Sequence, residues 1–376
     1  MTHRATGGFR PARAARETVR VTSPSAPLRL GTRGSALATT QSGLVARRIE
    51  ALTGRSVELV RIRTEGDVRT GSLASLGGTG VFVTALREAL LDGRCDVAVH
   101  SLKDLPTAPV DGLTIVTPER EDPRDALCAR DGLTLETLPR GARVGTGSPR
   151  RAAQLRAARP DLDVVDIRGN VDTRLARALG PDADLDAVVL ACSGLARLGR
   201  SDAVTQALEP VVVTPAPGQG ALAVEARTAD LSEGGPLAAA FAALDHRPTR
   251  LAVIAERALL ARLEAGCAAP VGAIARVEDD QLALGAVVAR LDGGERLKHR
   301  SAAALTGDDA RDDDAARTLG VRVAEALLAD GAERIAPLAG SGAREPGREP
   351  AARPAPDPAL ADPTASGAPG QESGRP

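Results

Sequence analysis

Aromatic side chains are almost missing from this chain of 376 residues, which has three Phe and no Trp or Tyr. Proteins that bind single-stranded nucleic acids stack the bases on aromatic rings, so this scarcity argues against that class of function. The formal net charge of -1 gives no global field that would attract nucleic acid or an acidic membrane surface. We therefore expect neither a nucleic acid nor a membrane among the partners.

Cysteine is scarce as well, and the four cysteines are far apart: Cys95, Cys128, Cys192 and Cys267. Because there is no CxxC pair, a structural zinc site is not expected, and we predict no metal. A disulfide framework is not expected in a chain of this length, so the cysteines are predicted to be reduced, as in the cytoplasm. No apolar run reaches the about 18 residues that a membrane-spanning helix requires.

The two ends of the chain differ in composition from the middle. Residues 1–26 are rich in Arg and poor in acids, which is typical of transit peptides, but they lack an apolar region. We interpret them as a disordered extension or as the result of a start site assigned too early. Residues 337–376 are dense in Pro, Ala and Gly without apolar periodicity, so they are predicted to be a disordered tail. The folded body is expected within residues 27–336.

Short β-rich runs alternate with helical patterns through most of this body. A strand over "PLRLGT" precedes a helix from Ser35 to Thr53, and the helix "VFVTALREALLDG" precedes the strand "CDVAVH". The rhythm repeats from "ARVGTG" to "SGLARLG" and predicts mostly parallel sheets flanked by helices. The last part has a long helix, the strands "VGAIARVE" and "QLALGAVVAR", and a helix over residues 313–329, which predicts a small α+β domain. The pattern identifies no partner for one further strand, "ALAVEAR".

The stretch "GTGSPRR" contains a predicted helix start directly after a strand. Ser148 is a typical N-cap and Pro149 a typical first helical residue, so Arg150 and Arg151 fall in the first turn. Free backbone N–H groups and two guanidinium groups at that place favour an anion site. The alternative is a pair of solvated arginines in an arginine-rich chain.

Arginine recurs where other predicted strands end. Arg168 ends the strand "VVDIR", Arg174 lies one turn into the next helix, and Arg197 follows the strand "AVVLA" by a similar distance. Arg33 follows the first strand of the body in the same way. Because ligands of parallel sheets bind at the carboxyl ends of the strands, the pattern predicts a polyanion held between two lobes.

Two further residues near a strand end are candidates for a catalytic role. Asp104 lies in the loop after "CDVAVH", beside Lys103. It is either a turn or ion-pair residue, or a carboxylate that stabilises a developing cation or relays a proton. His100 is a candidate general base, but no Ser or Cys partner lies at a suitable spacing, so a hydrogen-bonding role in the core or a loop is favoured.

Six motifs, in order and with similar spacing, resemble the porphobilinogen deaminase family, also called hydroxymethylbilane synthases. The resemblance extends from about Leu28 to Ala336, and it implies two lobes like those of type II periplasmic binding proteins and a C-terminal domain. The implied domains are residues 27–122 with 218–240, residues 123–217, and residues 241–336. The motifs are "VAVHSLKDLP", "EDPRDAL", "VGTGSPRR", "RGNVDTRL", "PGQGAL" and "RLEAGCAAPVG".

The resemblance also implies roles for individual residues. Cys267 is expected to bind a dipyrromethane cofactor through a thioether, although its immediate surroundings alone would make it buried filler. Asp104 is expected to be the catalytic carboxylate, and Phe82 to lie in a loop near the growing chain. The residues expected to bind carboxylates of the cofactor and substrate are Arg33, Ser35, Lys103, Ser148, Arg150, Arg151, Arg168, Arg174 and Arg197.

The implied activity is a transferase reaction in tetrapyrrole biosynthesis, carried out by a cytoplasmic monomer. Four porphobilinogen molecules are joined head to tail with loss of ammonia, and hydroxymethylbilane is then released by hydrolysis. A solute receptor with two lobes would not require a third domain with a cysteine, and a thiol-dependent hydrolase would require a histidine partner. Many members of the family have lysine where this chain has Ser75 and Thr79, so the role of the "LGGTG" loop stays open.

Overall fold

The computed structural model describes residues 26–62, 80–266 and 269–338, without the side chains of residues 80–82. The predictions for residues 1–25, for the loop with Ser75 and Thr79, for Cys267 and for the tail from residue 339 lie outside the described residues. The strands are β1 (Leu28–Thr32), β2 (Val57–Arg61), β3 (Val97–Ser101), β4 (Leu113–Val116), β5 (Asp125–Ala129), β6 (Arg143–Gly145), β7 (Asp163–Val165), β8 (Ala187–Ala191), β9 (Gln206–Leu208), β10 (Leu222–Arg227), β11 (Val271–Glu278), β12 (Gln281–Ala289) and β13 (Arg296–Ala304).

Helices cover the faces of these strands. None of the helices in the described parts of the chain is long and apolar enough to cross a membrane. They are α1 (Ala36–Thr53), α2 (Gly80–Leu91), α3 (Pro149–Ala158), α4 (Val171–Leu179), α5 (Cys192–Arg197), α6 (Thr228–Ser232), α7 (Pro236–Leu244), α8 (Arg247–Arg262), α9 (Asp309–Ala329) and α10 (Ala332–Ile335).

The first lobe contains a five-stranded sheet in the order β2-β1-β3-β10-β4. β1 pairs in parallel with β2 and β3, whereas β10 pairs antiparallel with both β3 and β4. Four strands therefore run in one direction and only β10 is reversed. β10 is the strand "ALAVEAR", whose partners the sequence pattern left open.

The second lobe repeats this arrangement in the order β7-β6-β8-β5-β9. β6 pairs in parallel with β7 and β8, and β5 pairs antiparallel with β8 and β9. The predicted fold class is confirmed, since both lobes are α/β with a mostly parallel sheet. β5 and β10 are the reversed strands, and each is the first strand after the chain crosses from one lobe to the other.

Capping residues set the ends of the helices as the sequence predicts. The Ser35 hydroxyl accepts a hydrogen bond from Ala38 N at 3.3 Å, and Gly54 ends the helix with a φ of 67°, which glycine adopts without strain. Ile49 and Leu30 are fully buried where α1 packs on the sheet. The helix after "VGTG" begins at Pro149 with Ser148 as its N-cap, as predicted.

One strand end differs from the prediction. β7 stops at Val165, so Arg168 is not the last residue of a strand but lies three residues beyond it. The neighbouring strand β6 ends at Gly145 before the turn into the next helix, which leaves β7 no ladder to continue. A Cβ at Gly147 would lie 2.5 Å from the Ile167 carbonyl O, so the chain beyond β7 lies directly against that turn.

The C-terminal domain is a three-stranded antiparallel sheet, β11-β12-β13, packed on α8 and α9. The predicted α+β class is confirmed, but β13 was missed because "RLKHRSAAA" lacks the β-branched and aromatic residues that mark strands. The last long helix begins at Asp309, four residues earlier than predicted, because Asp308 caps it by accepting from Arg311 N at 2.9 Å. Leu338 is buried in this domain, two residues beyond the predicted end of the body.

Candidate active site

The carboxyl end of the first sheet brings together Arg33, Lys103 and Asp104. Arg33 directly follows β1, and Lys103 and Asp104 form a 3-10 turn directly after β3, which is paired in parallel with β1. Parallel strands end at the same edge of a sheet, so the three residues share one edge, as predicted. The hydroxyl of Ser35, which caps α1 at this edge, still has its hydrogen to donate to a ligand.

The carboxylate of Asp104 is half-buried. Within the described parts of the chain it accepts no side-chain hydrogen bond and has no ion pair at contact distance, although it interacts by charge with the neighbouring Lys103. Burial lowers the pKa of the neighbouring Lys103 to about 8, although the charge of Asp104 opposes this change. The cationic Arg151 and Arg150 of the second lobe lower the Lys103 pKa further. The edges of the two sheets therefore lie close enough to interact electrostatically.

Arg150 and Arg151, from the first turn of α3, lie on either side of one carboxylate in the second lobe. Arg150 Nη1 is 2.7 Å from Asp125 Oδ2, and Arg151 Nη2 is 2.7 Å from Asp125 Oδ1. Arg150 also donates to the Thr214 carbonyl O at 2.6 Å, and Arg151 to the Val189 carbonyl O at 3.1 Å. Both arginines are therefore buried and held by the protein itself, not merely solvated.

Asp125 is fully buried at the start of β5. Burial alone would raise the pKa of its carboxyl, but the charges and hydrogen bonds of Arg150 and Arg151 outweigh burial and hold the pKa well below the usual range. One carboxylate thus faces two guanidinium groups. The cluster keeps one surplus positive charge.

Arg168 and Arg174 add further positive charge beside this cluster. Arg168 is exposed and 3.1 Å from Asp166, while Arg174 donates only to the Gly169 carbonyl O, at 2.8 Å, among the described residues. Burial lowers the pKa of Arg174, and the neighbouring charges of Arg151 and Arg168 lower it further. Such a group of neighbouring cations is typical of a site that binds a polyanion.

The remaining predicted residues lie in other surroundings. Arg197 is the last residue of α5 in the second lobe and contacts both connections between the lobes, since it is 3.0 Å from Glu121 Oε1 and donates to the Gly220 carbonyl O at 2.7 Å. Ser148 accepts from Arg151 N at 3.5 Å as an N-cap. Phe82 belongs to α2, but its side chain lies outside the described residues, as does Cys267.

His100 is the last residue but one of β3, and its side chain lies in the core of the first lobe. It is buried on β3, with Nε2 2.9 Å from Glu225 Oε2, and Arg87 binds the same carboxylate at 2.7 Å. Arg87 and His100 beside it offset burial and lower the pKa of Glu225. His100 therefore has a place in the core, in contact with a buried carboxylate, and the structure offers it no nucleophile to serve as a general base among the described residues.

Sequence reasoning missed the residues that organise the arginines. Asp125 in "EDPRDAL" and Gln219 in "PGQGAL" belong to motifs, but the sequence assigns them no roles. The available signal for Asp125 was an acid at the first position of an otherwise apolar strand, and for Gln219 a polar residue between two glycines. Neither signal identifies a partner, because both pairings join distant parts of the chain.

Two family models match most of this chain. One, described as "Porphobilinogen deaminase, dipyromethane cofactor binding domain", matches residues 28–233, and another, "Porphobilinogen deaminase, C-terminal domain", matches residues 250–329. The chain belongs to the porphobilinogen deaminase family. The resemblance expected from the six motifs is confirmed.

Curated relatives support this family at high identity. The porphobilinogen deaminase of Micrococcus luteus is 55% identical, with 82% of this chain and 94% of that protein covered. Those of Leifsonia xyli subsp. xyli and Cutibacterium acnes are each 57% identical, covering 83% and 84% of this chain and 95% and 98% of those proteins. Among solved structures, a periplasmic substrate-binding protein from Coxiella burnetii is 17% identical with a TM-score of 0.36, covering 58% of this chain and 91% of that one.

The dipyrromethane cofactor that describes the family fits the residues at this edge. Each of its pyrrole rings has carboxylate side chains, and the donor set here consists of cations. Asp125 is shared by two arginines, and Arg174 has only a backbone carbonyl as an acceptor among the described residues. A group with several carboxylates is the chemical complement of such a set.

Proposed function

We propose that the protein is a hydroxymethylbilane synthase. It joins four porphobilinogen molecules head to tail, releases ammonia at each addition and finally releases hydroxymethylbilane by hydrolysis. Membership of the porphobilinogen deaminase family supports the reaction. The single observation that carries the assignment to this edge is the carboxylate of Asp104, which has no ion pair at contact distance among the described residues, opposite a surplus of positive charge from the second lobe.

The cofactor attachment and the cation assignments are part of the same proposal. Cys267 would bind the dipyrromethane through a thioether, and Arg168 and Arg174 would bind its carboxylates together with those of the growing chain. When bound, the dipyrromethane supplies the free pyrrole position at which chain growth starts. Arg33 and Lys103 would bind carboxylates from the first lobe, with Ser35 and Ser148 donating their hydroxyl hydrogens. Arg150, Arg151 and Arg197 would contribute mainly charge, since their guanidinium groups are already held.

Asp104 is the residue that we assign to the chemical step. When the amino group of porphobilinogen leaves as ammonia, its methylene carbon stays on the ring and positive charge develops on the methylene-pyrrole unit of the substrate. The carboxylate of Asp104 would stabilise that charge by accepting a hydrogen bond from the pyrrole N–H, and it is able to take up a proton there.

The other cysteines do not offer an alternative chemistry. Burial raises the pKa of the Cys128 thiol to about 12 and that of Cys192 to about 11, and Cys95 is also buried with a raised pKa. A thiol-dependent reaction requires a thiolate near neutral pH, so these three residues are poor nucleophiles. Reduced cysteines are also compatible with the further proposal that the protein is a cytoplasmic monomer.

Asp104→Asn tests the catalytic assignment. We expect the variant to fold and to keep its covalent cofactor, while porphobilinogen consumption falls roughly 10²- to 10⁴-fold, as for the loss of a positioned carboxylate. Asp111→Asn is the matched control, since Asp111 is an exposed acid in a nearby turn. Turnover within about twofold of the wild type would remove Asp104 from the mechanism, and a wild type that binds porphobilinogen without consuming it would favour a receptor.

A further inference from the structure

Gln219 lies where the chain returns from the second lobe to the first, and it is only 1% exposed. Gly218 and Gly220 on either side have positive φ angles of 74° and 89°. A Cβ at Gly218 would lie 3.3 Å from the Lys103 backbone N, and a Cβ at Gly220 only 2.5 Å from the Glu121 carbonyl O. The two glycines therefore let the returning chain lie against the turn that contains Lys103 and against the outgoing connection.

The amide of Gln219 uses every hydrogen-bonding position that it has. Its Nε2 donates to the Pro123 carbonyl O and to Asp125 Oδ1, both at 2.8 Å. Its Oε1 accepts from Lys103 Nζ at 3.3 Å and from Arg151 Nη2 at 3.4 Å. A reversed amide would point N–H groups at two cations and its oxygen at a carboxylate, so the charges fix the orientation.

These contacts connect charged groups from both lobes through a neutral side chain. Lys103 belongs to the first lobe, whereas Asp125 and Arg151 belong to the second. A carboxylate in place of the amide would pair with both cations and would be repelled by Asp125. It would therefore use up the positive charge that is available for a polyanionic ligand.

We propose that Gln219 is a positioning residue. It holds the Lys103 side chain of the first lobe at a fixed place beside the Arg151–Asp125 pair of the second lobe, and because its amide is neutral it leaves the surplus positive charge of these groups for the substrate. The inference rests on the proposed function, because the carboxylates that these cations serve are those of porphobilinogen and its oligomers.

Gln219→Met removes the amide at similar side-chain length. We expect the KM for porphobilinogen to rise about tenfold or more, as for the loss of a hydrogen bond to a charged group, with a smaller change in kcat. Gln219→Glu keeps the shape but adds a negative charge, and it should raise KM at least as much. The effects of Gln219→Met and Lys103→Met on KM should not be additive, since one residue acts through the other.

Gln154→Met is the matched control, measured on the holoenzyme like the other variants. Gln154 is also 1% exposed, but both ends of its amide bind the Thr214 backbone, at 2.8 and 3.0 Å. We expect this variant to lose stability without the rise in KM.

Three results would overturn the inference: additive effects with Lys103→Met, a change in KM no larger than that of Gln154→Met, or failure of both Gln219 variants to fold. A wild type that does not consume porphobilinogen would instead overturn the proposed function. The two failures are therefore distinguishable.

Discussion

Arg150 and Arg174 occupy similar places in the sequence, each within the first four residues of a helix that follows a strand, but their charges have different surroundings. Arg150 is 4% exposed and is bound by Asp125 and the Thr214 carbonyl. Arg174 has a single backbone acceptor in the described parts of the chain. Sequence position therefore predicts at which edge of the sheet an arginine lies. It does not predict whether the charge is already paired, because Asp125 comes from another strand.

Arg174→Ala should impair binding without weakening the fold. We expect a KM for porphobilinogen raised by about tenfold, the scale of one charge-assisted hydrogen bond, and an unchanged midpoint of urea unfolding. Arg177→Ala on the same helix is the control, since Arg177 pairs with Asp184 on the outside of the lobe. Equal KM values for the two variants would contradict the assignment of Arg174.

Arg150→Ala should behave differently, because it leaves Asp125 with half of its compensating charge in a buried place. We expect the free energy of unfolding to fall by roughly 3 kcal/mol, measured by urea denaturation. The sequence alone predicts a binding residue whose loss leaves stability unchanged, so an unaltered unfolding midpoint would favour that prediction over the paired geometry.

The ammonium of Lys103 should make substrate binding depend on pH. Since burial lowers its pKa to about 8, the side chain is cationic below that pH and neutral above it. The KM for porphobilinogen should therefore rise between pH 7 and pH 9. Lys103→Arg keeps the charge over this range, so its KM should stay flat. A rise of the same size in both proteins would assign the titration to another group.

Among the elements, those with strong local signals were predicted well. The first helix of the body has both caps in its sequence, and the prediction for it is confirmed. β13 has no comparable signal, and its pairing with β12 comes from the hairpin and the helices behind it. Local pattern also could not show where β7 stops, because that depends on the length of its neighbour.

The close contact between α8 and α9 requires a glycine, with no side chain, at position 320. A Cβ at Gly320 would lie 2.3 Å from the Ala255 carbonyl O and 2.8 Å from the Ala258 Cβ. Gly320→Ala should push the helices apart and lower the free energy of unfolding by about 1–3 kcal/mol. Gly43→Ala in α1 is the control, since a Cβ there meets only the end of the Arg47 side chain, and it should be neutral or stabilising. Similar thermal midpoints for the two variants would contradict this contact.

At the scale of the whole described body, one buried carboxylate joins the connections between the lobes to the C-terminal domain. Glu256 on α8 is 2.7 Å from Arg120 in the outgoing connection and accepts from Gly218 N in the returning one at 2.6 Å. It also accepts from Ala275 N of β11 at 2.8 Å. Arg120 and Glu256 are 136 residues apart in the sequence, so no local pattern predicts this junction.

Cys267 follows α8 in the sequence, and its assignment as the attachment site is the central claim of the account. The intact mass of the purified protein should exceed that of the polypeptide by two pyrrole units. Addition of porphobilinogen should then raise the mass in steps of one unit. Cys192→Ser should keep the added mass and Cys267→Ser should lose it. A wild type with no added mass, or an added mass that survives Cys267→Ser, would contradict the account.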